Sequence, residues 1–255
     1  MTAWVHGVRA RSAAAAVGAV CAVLLAVLTG CASEDPDKGT NGVGRLPAAK
    51  IEGKAREAAR GAESVRLSGS VVSKGRTYRL DMRLKGNGGL GEVSAKGGPR
   101  FELLRVDQDL YLKANADFWA NQGKGDAEPT ETDLAAARKL EGKYVKVPPG
   151  DPAYKQLSGF TDKDVLLDGL LTLQGERETG DRGEVEDVRT IEVRAAKGAG
   201  GILSVALIGK PYPLRLERGG DAGVVQLLEW DKEFTLRAPA KDQIVDYGRK
   251  ISAAE

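Results

Sequence analysis

The chain has two cysteines, Cys21 and Cys31, and one histidine, His6, and all three fall within its first 31 residues. From residue 32 onward there is no thiol and no imidazole, so the usual proton shuttle and the commonest metal ligand are both missing there. Ser-His-Asp and Cys-His arrangements are therefore excluded from that stretch. The patterns G-x-S-x-G, S-x-x-K and G-x-x-x-x-G-K-[ST] do not occur. Gly86-x-Gly88-x-x-Gly91 spells a dinucleotide fingerprint, but that motif needs a helix N-terminus after it to receive a pyrophosphate. Here Asn87-Gly88 separates two strand-like runs, which predicts a hairpin turn instead. Carboxylates remain: Asp107 with Asp109, Asp162 with Asp164, and Glu184 and Glu186 with Asp187. Such groups could pair as acid and base, yet none follows a calcium-loop pattern, and acids at turns are ordinary surface residues. The expectation is a protein without catalytic residues, metal or cofactor.

The elements around Cys31 give its thiol a use. Arg9 and Arg11 precede an uncharged run from Ser12 to Leu28, and no acidic residue occurs before Glu34. Positive charge followed by an apolar stretch is the order of a secretory signal, and the run falls short of the roughly 20 residues that span a bilayer comfortably. Leu28-Thr29-Gly30-Cys31 then resembles the lipobox of bacterial lipoproteins: an aliphatic residue, two small residues that a signal peptidase requires, and a thiol that accepts diacylglycerol. Residues 1–30 read as a cleaved signal peptide, and 31–45 as a lipidated flexible tether. A single domain is expected over 46–255. Lipidation of Cys31 implies a location on the extracytoplasmic face of the cell membrane. Cleavage removes Arg9 and Arg11 from the 38 basic residues, which leaves them equal to the 36 acidic ones. A neutral chain gives no reason to expect nucleic acid as a partner.

Past the polar stretch ASEDPDKGTNGVGR, small apolar residues Ala48, Ile51, Ala55, Ala58, Ala59 and Ala62 recur at helical spacing opposite Lys50, Glu52, Lys54 and Glu57. The period then changes to two. YRLDMRLKG, GLGEVSAKG, RFELLRV and DLYLKA, with the earlier Val65–Val71 run, predict an antiparallel meander of about five strands. Thr130-x-x-Asp133 and Thr161-x-x-Asp164 stand before LAAARKL and VLLDGLL as capping boxes, with a strand GKYVKV between them. VEDVRTIEVRA, ILSVALIG, PLRLER, VVQLLEW and KEFTLRAP return to strand-like patterns. The order predicts an α+β fold: a large, curved antiparallel sheet with helices on one side.

Several of these phrases together resemble the LppX/LprG group of actinobacterial lipoproteins, which is similar in fold to the LolA/LolB lipoprotein carriers. They are the lipobox, the first helix, V-R-L-S-G-S at 65–70, LYLKA-x-x-x-FW at 110–119, GKYVKV, YPLRLE at 212–217 and W-D at 230–231. The resemblance covers roughly 46–248 and implies a strongly curved antiparallel sheet, a half-open barrel, with helices covering its concave side. It also implies an interior that holds acyl chains of a lipid or glycolipid in transit. Leu103, Leu112, Phe118, Val165, Leu167, Leu170, Leu171, Val205 and Leu207 are the expected apolar lining, and residues 161–174 the expected gate. Relatives of this fold also serve as envelope sensors or protein-interaction modules, so an envelope protein partner is the alternative. Replacing Cys31 with Ala is expected to abolish acyl labelling and move the protein from the membrane to the soluble fraction, which metabolic palmitate labelling and fractionation would measure.

Overall fold

Val65, Leu67 and Val71 alternate with Arg66, Ser68 and Ser70 along β1 (Ser64–Ser73), so one face of that strand is apolar and the other polar. The alternation continues in β2 (Arg76–Lys85), while β3 (Gly88–Ala95), β4 (Arg100–Val106) and β5 (Asp109–Ala114) follow it less strictly, with adjacent residues Leu103 and Leu104, and Leu110 to Leu112, buried on both faces. The computed structural model describes residues 35–73, 75–86, 88–98, 100–122 and 127–245. Cys31, with all of residues 1–34, and Asn87 of the expected hairpin turn lie outside them.

β1 to β5 are consecutive antiparallel neighbours, as the short connections require. β6 (Tyr144–Val147) joins β5. A second run of strands, β7 (Arg177–Val185), β8 (Val188–Ala195), β9 (Ile202–Ala206), β10 (Pro213–Glu217) and β11 (Val224–Leu228), adds to the other edge of β1. Last comes β12 (Ile244–Val245), parallel to β6. Among the described residues this makes one twelve-stranded sheet in the order β12-β6-β5-β4-β3-β2-β1-β11-β10-β9-β8-β7, antiparallel except for that last pair.

The expected half-open barrel is not what forms. The sheet is neither closed nor strongly curled, and its two end strands show why. β7 reads RETGDRGEV, is mostly exposed, and carries a register shift between Thr179 and Arg182. Charge and a bulge are the usual means of keeping an edge unpaired. β12 has two residues, too few to offer a ladder.

α1 (Ala48–Arg60) buries Ala48, Ile51, Ala55 and Ala59 against β7 to β10, as its spacing predicts. Glu52, expected on the solvent side, is buried as well and receives Arg177 of β7 at 2.6 and 3.3 Å. Four short helices follow: α2 (Ala116–Ala120), α3 (Glu131–Arg138), α4 (Pro152–Ser158) and α5 (Lys163–Leu170). Thr130 and Asp133 form the expected capping box on α3. The second one does not form. Asp162 caps α5 at Val165 N–H, while the buried Thr161 donates to the Ser158 carbonyl.

Two further expectations change. Residues 36–45 are no flexible tether, because Val43 is buried and the segment is bonded to β7 and β8 and to the turn after β9. KEFTLRAP forms no strand. It is an irregular strap that leaves β11, passes Lys85 and Gly88, and ends in β12 beside β6.

The turn between β10 and β11 tests this packing. Gly223 has φ of 110°, and a Cβ there would lie 2.1 Å from the Ser70 carbonyl oxygen of β1. Gly220 also has positive φ, at 66°, but nothing stands within 4 Å. Gly223→Ala is expected to cost roughly 2–4 kcal/mol and Gly220→Ala about 1 kcal/mol, read as midpoint shifts in urea unfolding.

Candidate functional site

The apolar face of β2 to β6 is built from Leu80, Met82, Leu84, Val93, Leu103, Leu110, Leu112, Val145 and Val147, all buried. Among the described residues no long helix covers it, since α1 lies over β7 to β10. Helices α2, α4 and α5, each eight residues or fewer, bring Phe118, Trp119, Tyr154, Leu157, Leu166, Leu167 and Leu170 onto the same apolar cluster. α3 packs on α2. Helices this short have little stability of their own, so packing and polar ties hold them in place.

Several such ties can be named, among them Arg105 of β4 with Asp162, the cap of α5, at 3.7 Å. Tyr154 of α4 donates to the Gln108 carbonyl in the β4–β5 turn at 2.8 Å. Lys163 N–H at the start of α5 donates to the Gly86 carbonyl at 3.2 Å. The Lys163 side chain is itself buried, and its ammonium donates to the Arg60 carbonyl at the end of α1 and to Asp164, at 3.2 and 2.6 Å. On the surface, Arg60 and Arg56 reach Asp168 at 3.0 and 3.7 Å. Phe101 of β4 and Phe118 and Trp119 of α2 form a chain of ring contacts, with centroids 5.6 and 5.1 Å apart. The Trp119 indole N–H is buried and meets no acceptor among the described residues. An unsatisfied buried donor costs about 1–3 kcal/mol.

Leu103, Leu112, Leu167, Leu170, Leu171, Val205 and Leu207 all belong to one buried cluster, and Phe118 packs half-buried against it. Within that cluster they fall on both halves of the sheet, Leu103 and Leu112 on β4 and β5, Val205 on β9 and Leu207 just after it. Leu207 lies at the other half of the sheet, where a Cβ on Gly44 would stand 3.0 Å from it. Val165, expected in the lining, instead points outward from α5 and is 60% exposed, since Leu167 and Leu170, two and five positions on, are the side chains the helix buries. The helix is therefore apolar on one side and not around its circumference. Among the described residues no three acidic, His or Cys side chains are grouped to hold a metal ion.

The opposite face carries rows of charge and a depression of about 830 Å³ between the sheet and the strap residues Thr235 and Arg237. Its floor includes Leu90, Leu104 and Tyr144. Asp81, Glu92 and Glu102 are directly paired across β2, β3 and β4, where like charges repel. Each has a cation: Arg66 bonds Asp81 at 2.8 and 3.0 Å, Arg100 meets Glu92 at 3.1 Å and Lys113 meets Glu102 at 3.2 Å. The hydrogen bonds from Arg66 hold the Asp81 carboxyl below its ordinary range. Nothing in the spacing of single strands reveals this row, which exists only once the register is set.

YPLRLE and W-D also come together. Tyr212 stacks on Trp230 with centroids 4.7 Å apart and planes 5° from parallel. Asp231 accepts from the Tyr212 hydroxyl, from Lys210 at 2.9 Å and from Glu63 N–H at 2.8 Å.

No family model and no curated protein matches the chain. Among solved structures, the chain is similar to LprF from Mycobacterium bovis. The match has 17% identity and a TM-score of 0.49, and it covers 76% of this chain and 97% of that one. An uncharacterized conserved protein from Thermus thermophilus is similar at 11% identity and a TM-score of 0.34, over 78% of this chain and 98% of that one. Among the described residues no helix is long and apolar enough to cross a membrane.

Asp231 supplies a pH test. Its bonds, that from Tyr212 first, hold its pKa down to about 2 from 3.8. A depressed carboxylate stabilises the fold above the unfolded value, and the gain is lost as pH falls toward the folded value. Asp231→Asn is expected to lower stability at about pH 6 and to flatten the loss of stability between about pH 4 and 2, measured by urea unfolding across that range.

Proposed function

We propose that the chain is a lipid-anchored extracytoplasmic protein, held through Cys31, that binds an acyl chain between the apolar face of β2–β6 and the short helices α2, α4 and α5. The observation that carries this reading is the mismatch between the two layers. A broad apolar sheet face is covered by helices of five to eight residues that are tied down by a few polar contacts. Such a cover can lift without disturbing the strand ladders, which is what a lid must do. Acyl burial then supplies the driving force, at about 0.8 kcal/mol per methylene. The Trp119 N–H, carried by α2 within this cover, meets no acceptor among the described residues and suits a ligand with one, such as the ester carbonyl next to an acyl chain. The lack of thiol and imidazole beyond residue 31 favours binding over catalysis.

Native mass spectrometry of the protein without residues 1–30, carrying Cys31→Ser and incubated with ester-linked phospholipids, tests this. A retained lipid is expected. Trp119→Phe keeps the ring and removes the donor, and is expected to weaken retention about three- to ten-fold. No retained lipid under any condition sinks the reading.

The polar-face depression supports a second reading, an envelope protein partner seated against Arg237 and Tyr144. Photo-crosslinking from position 237 to one defined protein, unaffected by Trp119→Phe, favours it over lipid binding.

A further inference from the structure

Residues 36–45 are pinned to one end of the sheet. Arg182 of β7 meets the buried Asp37 at 2.8 Å, and Arg189 of β8 donates to the carbonyls of Pro36 and Lys38 at 2.6 and 3.3 Å. Asn41 N–H donates to Leu207 at 2.8 Å, and its side-chain amide donates to Ala206 and Gly209, both at 3.0 Å. Five peptide steps separate Cys31 from Pro36, a reach of at most about 18 Å. If Cys31 carries the lipid, the docked segment allows the β9–β10 turn no long excursion from the bilayer.

That turn has the residues an interface selects. Ile208 is at its tip and is 45% exposed, unusual for so large an apolar side chain beside Gly209 and Lys210. Behind it stand the half-buried Tyr212 and Trp230, stacked on each other. Aromatic rings with a polar edge, and lysines that extend past an apolar tip, are the side chains that settle at the headgroup level. The nearby charge of Asp37 is already met by Arg182 and Arg45, so it does not oppose a lipid surface.

We propose that the β9–β10 turn is a bilayer-docking surface, with Ile208 entering the boundary between headgroups and acyl chains. The inference rests on the reading of Cys31 as the lipid anchor. It also gives the lid a direction. Contacts run from Lys210 to Asp231, from Asp231 to Ser64, and across the β1–β2 pair to Lys85, so the β2–β3 hairpin is at the same end of the strands. Lys163, the first residue of α5, is bonded to Gly86 of that hairpin. The lid's polar tie to the sheet thus lies at the end that meets the membrane.

The test uses the full-length lipidated protein in vesicles of phosphatidylcholine and phosphatidylglycerol that carry nitroxide-labelled lipid. Bimane is placed at Ile208→Cys or, at the opposite end of the strands, at the exposed Lys96→Cys. Quenching is expected to be several-fold stronger at position 208. Undocking the segment with Asn41→Ala and Arg189→Ala is expected to bring the two positions closer together in quenching. Equal quenching at 208 and 96 in protein that floats with the vesicles overturns this inference and leaves the anchor standing. Protein that does not float overturns both.

Discussion

An apolar sheet face has to be removed from water, and most of this structure follows from how that is done. Twelve strands in one open layer expose far more apolar area than a single helix can cover. α1 takes the half formed by β7 to β10, and its small residues Ala48, Ala55 and Ala59 let it lie close. The half formed by β2 to β6 is left to short helices whose side chains, not their length, do the covering. The two halves therefore differ in kind. One is a helix-on-sheet core fastened by Arg177 to the buried carboxylate of Glu52, a charge that is costly to leave without its partner. The other is a set of pieces, each secured at its ends by a cap or a carbonyl contact.

The polar face has a different constraint. Once register is fixed, Asp81, Glu92 and Glu102 stand opposite one another, and the arginines and lysine beside them cancel the repulsion. Exposed pairs of this type contribute little each, so the arrangement works by removing a penalty and adds little stability of its own. The strap then crosses this face and ends at the β6 edge, with Lys85 held both to the Phe234 carbonyl and over its ring.

The α+β class, the five-strand meander and the boundaries of β4 and β5 could all be read from alternation, because each strand shows its apolar face independently of the rest. Edge strand β7 could not. Its RETGDRGEV sequence has no buried face to create a period. Glu186 and Asp187, which the alternation places in a strand, are the turn joining β7 to β8, both with positive φ. α2 is hidden at the end of the meander because it has only five residues, with Asn115 and Asp117 alone to mark its start. As for the expected lining, the side chains are recognisable as interior, but which half of the sheet each faces is not. That depends on β11 pairing with β1, a contact between distant parts of the chain.

The same pairing has a consequence for how the protein is made. β1 spans Ser64–Ser73 and its second neighbour is β11, Val224–Leu228. A chain synthesised from its N-terminus completes the β1–β5 meander early, with one side of β1 left open until about 110 further residues have emerged. During that interval a central strand behaves as an edge, with Val65 and Leu67 uncovered and unpaired backbone groups available to any other extended segment. Folding of the two halves is therefore separated in time, and joining them must wait for one of the last strands to be made.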